Sequence, residues 1–366
     1  MPLPHINPAD YSTLFATKVD RVRPQFAPFS PPQARLFASP PLHFRLRAEF
    51  RVWHDGDDLF YAMFDPKKPA DPIRVSEFPI ASVRITETMQ PLLEAVRGEP
   101  TLRRKLFQIE FLSTLSDELL ITLVYHRPLD SSWQAAAETL STTLACSVIG
   151  RSRKQKLCVG PDFVTETLTV GDAAYCYRQP EQCFTQPNGH INEAMIQWLL
   201  AHCREPDTDL LELYCGVGNF TLPLASRFRR VLATELNKRA TAAALDNVSI
   251  NQIHNIELAR LSAAEISEAM TGARAFRRLA HLHQPLAEYR FNTLLVDPPR
   301  AGLDPQTLQL AAQFDRILYI SCNPESLLEN LSHLSATHDI EALAFFDQFP
   351  YTDHLETGVS LTRKSQ

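Results

Sequence analysis

The sequence lacks the features that would place it in a membrane or a secretory pathway. No run of about eighteen apolar residues occurs among its 366 residues, so we expect no membrane-spanning helix. Residues 1–10 contain neither a basic stretch nor an apolar core, and they therefore do not look like a secretory signal peptide. We expect a cytoplasmic protein without a membrane partner.

Closely spaced cysteine pairs are also absent, although the chain contains seven cysteines. None of the seven forms a C-x-x-C pair, and their odd number does not suit a disulfide framework. This spacing argues against a structural zinc site and an iron–sulfur cluster, so we predict that no metal is bound. Reduced cysteines are typical of the cytoplasm.

The chain has no excess of positive charge. Its 42 acidic residues outnumber 36 lysines and arginines, which gives a net charge of −6. Proteins that bind polyanions indiscriminately are usually basic, so nucleic-acid binding here would depend on local basic surfaces and on shape. No repeat or long linker interrupts the sequence, and we expect two closely packed halves in a monomer.

The N-terminal half predicts an α+β domain with an antiparallel sheet, because strand patterns follow one another with few helices between them. Residues 10–37 are helical in part, with Leu14, Val19 and Val22 on one face. A second helix is predicted over residues 131–144.

One predicted strand carries an unusual polar face. In residues 43–53 apolar side chains alternate with polar ones, and the polar positions include Arg45, Arg47, Arg51 and a tryptophan. Arginine and tryptophan suit phosphate contacts and base stacking. An ordinary solvated face with ion pairs explains the same pattern equally well.

In the C-terminal half strands alternate with helices, which predicts a parallel, doubly wound sheet. A strand that ends at Tyr214 leads into a turn with two glycines, Gly216 and Gly218. The next strand ends in Glu235, where a carboxylate can accept hydrogen bonds from both hydroxyls of a ribose. Turn and acid together predict an adenosine-type cofactor, although Glu235 alone also fits a position beside a helix N-cap.

Two further strands end in reactive side chains. Asp297 is followed by two prolines and Arg300, a pattern similar to that of amine methyltransferases, which place an aromatic residue where Arg300 stands. Cys322 follows a buried strand in a Ser-Cys-Asn-Pro turn. A cysteine thiolate is a strong nucleophile near neutral pH, but most cysteines are small buried hydrophobes. Near the C-terminus Glu356 lies on a loop where a solvated carboxylate is the ordinary finding.

Four motifs occur together in the chain: Phe184-Thr-Gln-Pro-Asn188, Leu213-Tyr-Cys-Gly-Val-Gly-Asn219, Asp297-Pro-Pro-Arg-Ala-Gly302 and Ser321-Cys-Asn-Pro-Glu325. With them, the chain resembles the S-adenosylmethionine-dependent RNA uracil-5-methyltransferases over nearly its whole length, and most closely the bacterial branch that acts on tRNA. Ribosomal-RNA members usually add a β-barrel and a cysteine cluster, and neither is present here. The resemblance implies a Rossmann-like methyltransferase domain and an N-terminal α+β RNA-binding domain.

The resemblance also implies a reaction. The enzyme would methylate C5 of the T-loop uridine of tRNA to give 5-methyluridine, with S-adenosyl-L-methionine as cofactor, and would also act on T-arm-like RNA such as tmRNA. Cys322 would add to C6 of the uracil and Glu356 would remove the C5 proton, a task that a raised carboxyl pKa would help.

Further roles come from the same resemblance. The cofactor and uracil pocket would be lined by Gln186, Tyr214, Gly216, Asn219, Glu235 and Asp297. RNA would be contacted by Arg51, Phe107 and His126, of which the last two would open the T-loop. The expected parts of the chain are a helical segment (1–42) that packs on the catalytic domain, an RNA-binding domain (43–175) and a methyltransferase domain (176–366).

Three other classes are weighed against this reading. A small-molecule methyltransferase explains the C-terminal half and the acidic composition, but not Cys322 or the arginine-bearing strand. A non-catalytic RNA-binding protein has no need of Cys322 with Glu356. The RNA cytosine-5-methyltransferases carry a cysteine in an Asp-x-Pro-Cys motif, at a place where this chain has Pro299-Arg300.

Overall fold

Two large β-sheets, one of eight strands and one of seven, organise the computed structural model of the chain. The structure describes residues 6–65, 67–203 and 205–365, so the first half of the segment tested for a signal peptide lies outside it. Within these ranges no helix has the length and apolar character needed to cross a membrane. In the same ranges no three His, Cys, Asp or Glu side chains come together as a metal site.

The N-terminal segment packs against the C-terminal half of the chain. It contains helix α1 (Tyr11–Val22), flanked by 3-10 turns at Pro8–Asp10 and Arg23–Phe29, and a short strand β1 (Arg35–Phe37). Strand β1 joins the eight-stranded sheet as a parallel edge strand. The segment is therefore part of the larger sheet's architecture.

Helix α1 buries one face, as expected, but one of the three residues predicted to lie on that face is not buried. Val19 and Val22 are buried, whereas Leu14 is 39% exposed. The buried stripe runs through Tyr11, Phe15 and Val19, at the four-residue spacing that keeps side chains on one side of a helix. Leu14 lies beside that stripe, so its predicted burial is wrong.

The N-terminal domain is built on the seven-stranded sheet. Its elements are β2 (Arg47–Asp55), β3 (Asp58–Asp65), β4 (Lys68–Val75), α2 (Val83–Gly98), α3 (Pro100–Arg103), β5 (Leu106–Ser113), β6 (Leu119–Tyr125), α4 (Ser131–Leu144), β7 (Ser147–Ser152) and β8 (Gln155–Val159). The strand order is β4-β3-β2-β5-β6-β7-β8. All neighbours are antiparallel except β6 and β7, because α4 returns the chain between them as a crossover.

Helix α4 shows why its bounds were readable from the sequence. The side chain of Asp130 accepts a hydrogen bond from the Trp133 backbone N–H at 3.0 Å, which caps the first turn. Ala145 ends the helix in a left-handed conformation with φ of 48°. Trp133 is fully buried, and burial of one large side chain of this kind contributes about 2–3 kcal/mol.

The C-terminal half forms the eight-stranded sheet, preceded by a hairpin of β9 (Phe163–Val170) and β10 (Ala173–Pro180). Its elements are α5 (Gly189–Ala201), β11 (Glu205–Leu213), α6 (Thr221–Leu224), β12 (Phe228–Thr234), α7 (Lys238–Ile250), β13 (Ile256–Ala259), α8 (Ala263–Met270), β14 (Phe291–Val296), α9 (Pro305–Ala311), β15 (Arg316–Ser321), α10 (Pro324–Leu334), β16 (His338–Phe346) and β17 (Glu356–Arg363), with 3-10 turns at Ala225–Arg227, Arg277–Leu279 and Leu286–Glu288.

The strand order is β1-β16-β17-β15-β14-β11-β12-β13. Among the described strands of this sheet, β17 runs antiparallel to both neighbours and the other pairs are parallel. Successive residues of β11 point to opposite faces, and both faces are covered: Leu210 belongs to one buried apolar cluster and Leu211 to another. This arrangement confirms the predicted Rossmann-like methyltransferase fold.

The two halves share a core and a cleft. Ile109 of β5 and Leu211 of β11 lie in the same buried apolar cluster. At the cleft, Arg47 Nη1 donates to the Cys183 carbonyl at 2.6 Å, and Arg45 pairs with Asn188 in an isolated β-bridge. Both arginines are therefore partly buried between the halves. Of the three arginines on the polar face of this strand, Arg51 is the exposed one.

Candidate active site

Polar side chains follow four parallel strands of the larger sheet at one edge. Tyr214 follows β11, Glu235 follows β12, Asp297 follows β14 and Cys322 follows β15. Because these strands are parallel, their carboxyl ends meet at the same edge, where open α/β sheets bind their ligands.

Glu356 reaches this edge by the opposite strand direction. It is the first residue of β17, which runs antiparallel to β15, so the start of β17 lies beside the end of β15. Ser321 is the register partner of Thr357. Cys322 and Glu356 are the next residues outward on these two neighbouring strands, and the Glu356 carboxylate is close enough to raise the pKa of the Cys322 thiol.

The electrostatics of this corner favour protonated groups. Burial, together with the negative charge of Asp297, raises the pKa of Glu356 to about 8. Burial also raises the pKa of Asp297 to about 7. For Cys322, burial and then the two neighbouring carboxylates raise the pKa of the thiol to about 11, although Arg300 opposes the shift. A raised pKa of Glu356 is the direction that would help it to act as a base.

The glycine turn after β11 forms an open cradle. Tyr214, Gly216 and Gly218 all have left-handed backbone, with φ of 62°, 57° and 87°. Such strain in a non-glycine residue is typical of functional turns. Within the described part of the chain, no atom lies within 4 Å of the point where a Cβ on Gly216 would sit, so the backbone there borders open space.

Glu235 is tied to the same turn. Its Oε2 accepts a hydrogen bond from the Gly216 N–H at 3.1 Å, and its Oε1 accepts one from the Asn237 N–H at 2.7 Å. A carboxylate held at the end of β12, beside a glycine turn that borders open space, fits the ribose of an adenosine cofactor. The donor set and the cradle thus suit S-adenosylmethionine.

A cavity next to the turn gathers most of the residues assigned to the cofactor and uracil pocket. Its lining includes Gln186, Tyr214, Gly216, Asn219 and Asp297. Glu235 does not line it, but contacts it through the Gly216 N–H. Five of the six residues assigned to the pocket therefore line one cavity.

Two residues that the sequence did not single out hold this cavity in shape. The amide of Asn192, on α5, exchanges two hydrogen bonds of 2.8 Å with the amide of Asn219. Gln348 Nε2 donates to Gln186 Oε1 at 2.7 Å, and Gln186 Nε2 lies 3.5 Å from Asp297 Oδ2. No spacing pattern links these partners, since each pair is distant in sequence.

The residues assigned to RNA form a stack on the N-terminal domain. The guanidinium carbon of Arg51 lies 3.6 Å from the centre of the Phe107 ring, and that ring lies 4.0 Å from the His126 ring, centre to centre. The pairing of β5 with β6 shifts register at Phe107, which marks a β-bulge. Bulges redirect side chains, and here Phe107 is turned between an exposed arginine and an exposed histidine.

The family model described as tRNA (uracil-5-)-methyltransferase matches residues 10–364 of the chain. The chain belongs to this family. A tRNA/tmRNA (uracil-C(5))-methyltransferase of Stutzerimonas stutzeri is 52% identical over 364 residues, which is 100% of both chains. The protein of the same name from Aromatoleum aromaticum is also 52% identical, over 100% of this chain and 98% of that protein.

A solved structure supports the fold. The crystal structure of Pyrococcus abyssi tRNA (uracil-54, C5)-methyltransferase in complex with S-adenosyl-L-homocysteine matches with a TM-score of 0.73 at 21% identity, covering 96% of this chain and 83% of that one. The predicted membership of the tRNA (uracil-5-)-methyltransferase family is confirmed, as is a methyltransferase that uses S-adenosylmethionine. The small-molecule, non-catalytic and cytosine-5 alternatives are thereby set aside.

Proposed function

We propose that this chain methylates C5 of the T-loop uridine of tRNA, and of T-arm-like RNA such as tmRNA, through a covalent bond between Cys322 and C6 of the uracil. The observation that carries the proposal is the neighbouring position of the Cys322 thiol and the Glu356 carboxyl at the ligand-binding edge. The names of relatives that match the whole chain support the substrate class.

The reaction needs a nucleophile because C5 of uracil is too electron-poor to take a methyl group unaided. The Cys322 thiol gives its proton to a neighbouring carboxylate as Sγ forms a bond to C6, and the electron pair of the C5–C6 double bond moves towards C5 and O4. When bound, S-adenosylmethionine supplies a methyl group made electrophilic by its sulfonium. Glu356 then takes the proton from C5, the double bond re-forms, and the C6–S bond breaks to release Cys322.

The pKa shifts at this corner match those roles. In its deprotonated form, a carboxylate whose acid has a pKa of about 8 is a stronger base than an ordinary glutamate, which suits Glu356 as the acceptor of the C5 proton. The raised pKa of Cys322 leaves the thiol protonated in the RNA-free site, so the nucleophile forms only when its proton is removed.

The remaining assigned residues position the two substrates. We assign Glu235, Gly216 and Asn219 to the cofactor and Tyr214 to the wall between cofactor and base. Asp297, held by Gln186, is assigned to the uracil edge, because a carboxyl of pKa about 7 can donate or accept a hydrogen bond near neutral pH.

RNA must also be opened before C5 can reach the thiol. Extruding a base from its stack costs a few kcal/mol, and stacking on an aromatic side chain returns about 1–3 kcal/mol per base. We assign this task to Phe107 with Arg51 and His126, which already form a stack that a base can extend. The enzyme would act as a cytoplasmic monomer without a metal.

The test uses tRNA transcribed with 5-fluorouridine, mixed with protein and S-adenosylmethionine. Fluorine at C5 cannot be removed as a proton, so we expect an RNA–protein adduct that survives denaturation. The adduct should be missing with Cys322→Ala, although that variant should still bind the cofactor. An adduct formed only with ribosomal-RNA fragments would overturn the substrate assignment, and wild-type protein that forms no adduct with any RNA would overturn the mechanism.

A further inference from the structure

A buried lysine of the N-terminal helix contacts the loop that leads to Glu356. Lys18 Nζ, in α1, donates to Asp347 Oδ1 at 2.6 Å, to the Phe349 carbonyl at 2.8 Å and to the His354 carbonyl at 3.3 Å. Lys18 is 5% exposed and Asp347 is 0% exposed. One ammonium group thus uses its three N–H donors on a single loop.

The three acceptors span that loop from end to end. Asp347 directly follows β16, whose last residue, Phe346, is the register partner of Glu356. His354 lies two residues before Glu356. Lys18 therefore ties the start of the loop to its end, immediately before the proposed base.

The start of the same loop also contacts a residue that lines the cavity. Gln348, next to Asp347, donates to Gln186, which in turn lies against Asp297. A loop held at Asp347 keeps Gln348 aimed at the cavity. Of the residues that Lys18 contacts, Asp347 is thus next to Gln348, and His354 is two residues from Glu356.

Stability alone is a weak reason for such a pair. Removing two charges from water is costly, and well-packed apolar residues often replace a buried ion pair without loss of stability. Within the described residues Asp347 Oδ2 has no hydrogen bond of ordinary geometry, although the Tyr11 hydroxyl lies near enough for the charge of Asp347 to raise the pKa of that phenol. What a lysine offers here, and an apolar side chain does not, is three directed hydrogen bonds to separate points of one loop.

We propose that Lys18 is a positioning residue for the reaction, which acts by holding the 347–355 loop so that Glu356 points at C5 of the methylated adduct. This inference rests on the proposed function, because it concerns the step in which Glu356 removes the proton. Without the clamp, the adduct still forms on Cys322 but resolves slowly.

The experiment compares Lys18→Met, which removes the ammonium and keeps the length of the side chain, with wild-type protein on unmodified tRNA. Turnover, tRNA affinity and the fraction of protein trapped as adduct during steady-state turnover are measured, the last on denaturing gels. We expect turnover per folded molecule to fall about tenfold or more, the adduct fraction to rise, and tRNA affinity to stay unchanged.

Arg229→Met is the matched control. Arg229 makes two hydrogen bonds to the buried carboxylate of Asp209, so its loss also breaks a partly buried ion pair. Asp209 lies four residues before Leu213, the last residue of β11. At a rise of about 3.3 Å per residue, this places Asp209 about 13 Å from the ligand-binding edge. This variant should lose stability without accumulating adduct.

If Lys18→Met does not fold, Asp347→Asn replaces it, since the amide keeps the volume and one acceptor for Lys18. Adduct accumulation in either Lys18→Met or Asp347→Asn, and not in Arg229→Met, supports the clamp. An adduct fraction equal to that of wild type, or equal to that of Arg229→Met, overturns it. The proposed function fails separately, if wild-type protein gives no adduct with 5-fluorouridine tRNA.

Discussion

The ligand-binding edge and the stack of Arg51, Phe107 and His126 are built in different ways. At the edge, Cys322 and Glu356 extend two neighbouring strands of a sheet covered on both faces, and burial shifts their pKa values. In the stack, Arg51 and His126 are exposed and rest on Phe107 through ring contacts. Changes at the edge should therefore alter chemical steps, whereas changes in the stack should alter the capture of RNA.

Among changes at the ligand-binding edge and in the stack, Glu356→Gln is expected to lower turnover the most. The variant should still form the bond to C6 and accept the methyl group, but it has no base for the C5 proton. Turnover should fall about 10²- to 10⁴-fold, the usual contribution of a positioned general base, while covalent adduct accumulates with ordinary tRNA. Denaturing gels with labelled tRNA measure the adduct.

Glu166→Gln is the control for that variant. Glu166 is another buried glutamate, and burial raises its pKa to about 7. It accepts hydrogen bonds from the backbone N–H groups of Leu115 and Thr167. Glu166 belongs to the β9–β10 hairpin and not to the sheet that carries the ligand-binding edge. It should not accumulate adduct. Normal turnover of Glu356→Gln without adduct would mean that another group acts as the base.

A smaller, purely binding effect is expected from Phe107→Ala. Loss of the central ring removes the surface on which both Arg51 and an extruded base can stack, so kcat/KM for tRNA should fall about 5- to 150-fold, the equivalent of 1–3 kcal/mol. The KM for S-adenosylmethionine should not change. Steady-state kinetics with each substrate varied in turn separate the two quantities.

Trp53→Ala is the matched change for Phe107→Ala. Trp53 is also an exposed aromatic residue of the seven-stranded sheet, 38% exposed, but it packs against Phe64 instead of joining the stack. It should leave kcat/KM for tRNA nearly unchanged. Equal losses in both variants would show that the sheet contributes general aromatic surface and that the stack has no special role.

The smallest effect concerns stability and pH. The pKa of Glu356 is about 8 in the folded protein and near 4.5 in the unfolded chain, so the folded state binds this proton more tightly. The stability that follows is fully present at low pH and is lost as pH rises towards 8. Glutamine does not titrate, so Glu356→Gln should gain about 2–5 °C in Tm relative to wild type between pH 5 and pH 8.5.

Thermal unfolding of both proteins across that pH range measures the difference. A Tm difference between variant and wild type that stays constant with pH would contradict the raised pKa and would place the carboxylate in a hydrated environment.

The sequence predicted part of this edge for a clear physical reason. Glu235, Asp297 and Cys322 each follow an apolar strand, and parallel strands bring their carboxyl ends to one edge, so local patterns were enough. Glu356 could be named only through the family resemblance, because it begins an antiparallel strand and no local pattern reports strand direction. The bulge that turns Phe107 into its stack likewise depends on pairing between strands.

Residues whose partners are distant in sequence were beyond prediction. The burial of Arg45 and Arg47 follows from the docking of the two halves, which alternation within one strand does not contain. Nothing in the local sequence marks Lys18, because its partner Asp347 lies 329 residues away. The domain limits given above, 1–42, 43–175 and 176–366, remain a prediction. Helix α1 and strand β1 contact elements of the C-terminal half.

The long reach of α1 and β1 also bears on how the chain matures during synthesis. Strand β1 pairs with β16, and Lys18 pairs with Asp347, so elements that the ribosome makes early wait for elements made about 300 residues later. Contacts of such high sequence separation form slowly and close a fold late. A nascent chain that stops before residue 338 has neither partner, and it also lacks Glu356. Completion of the fold and completion of the catalytic corner therefore depend on the same stretch of the chain, β16 to β17.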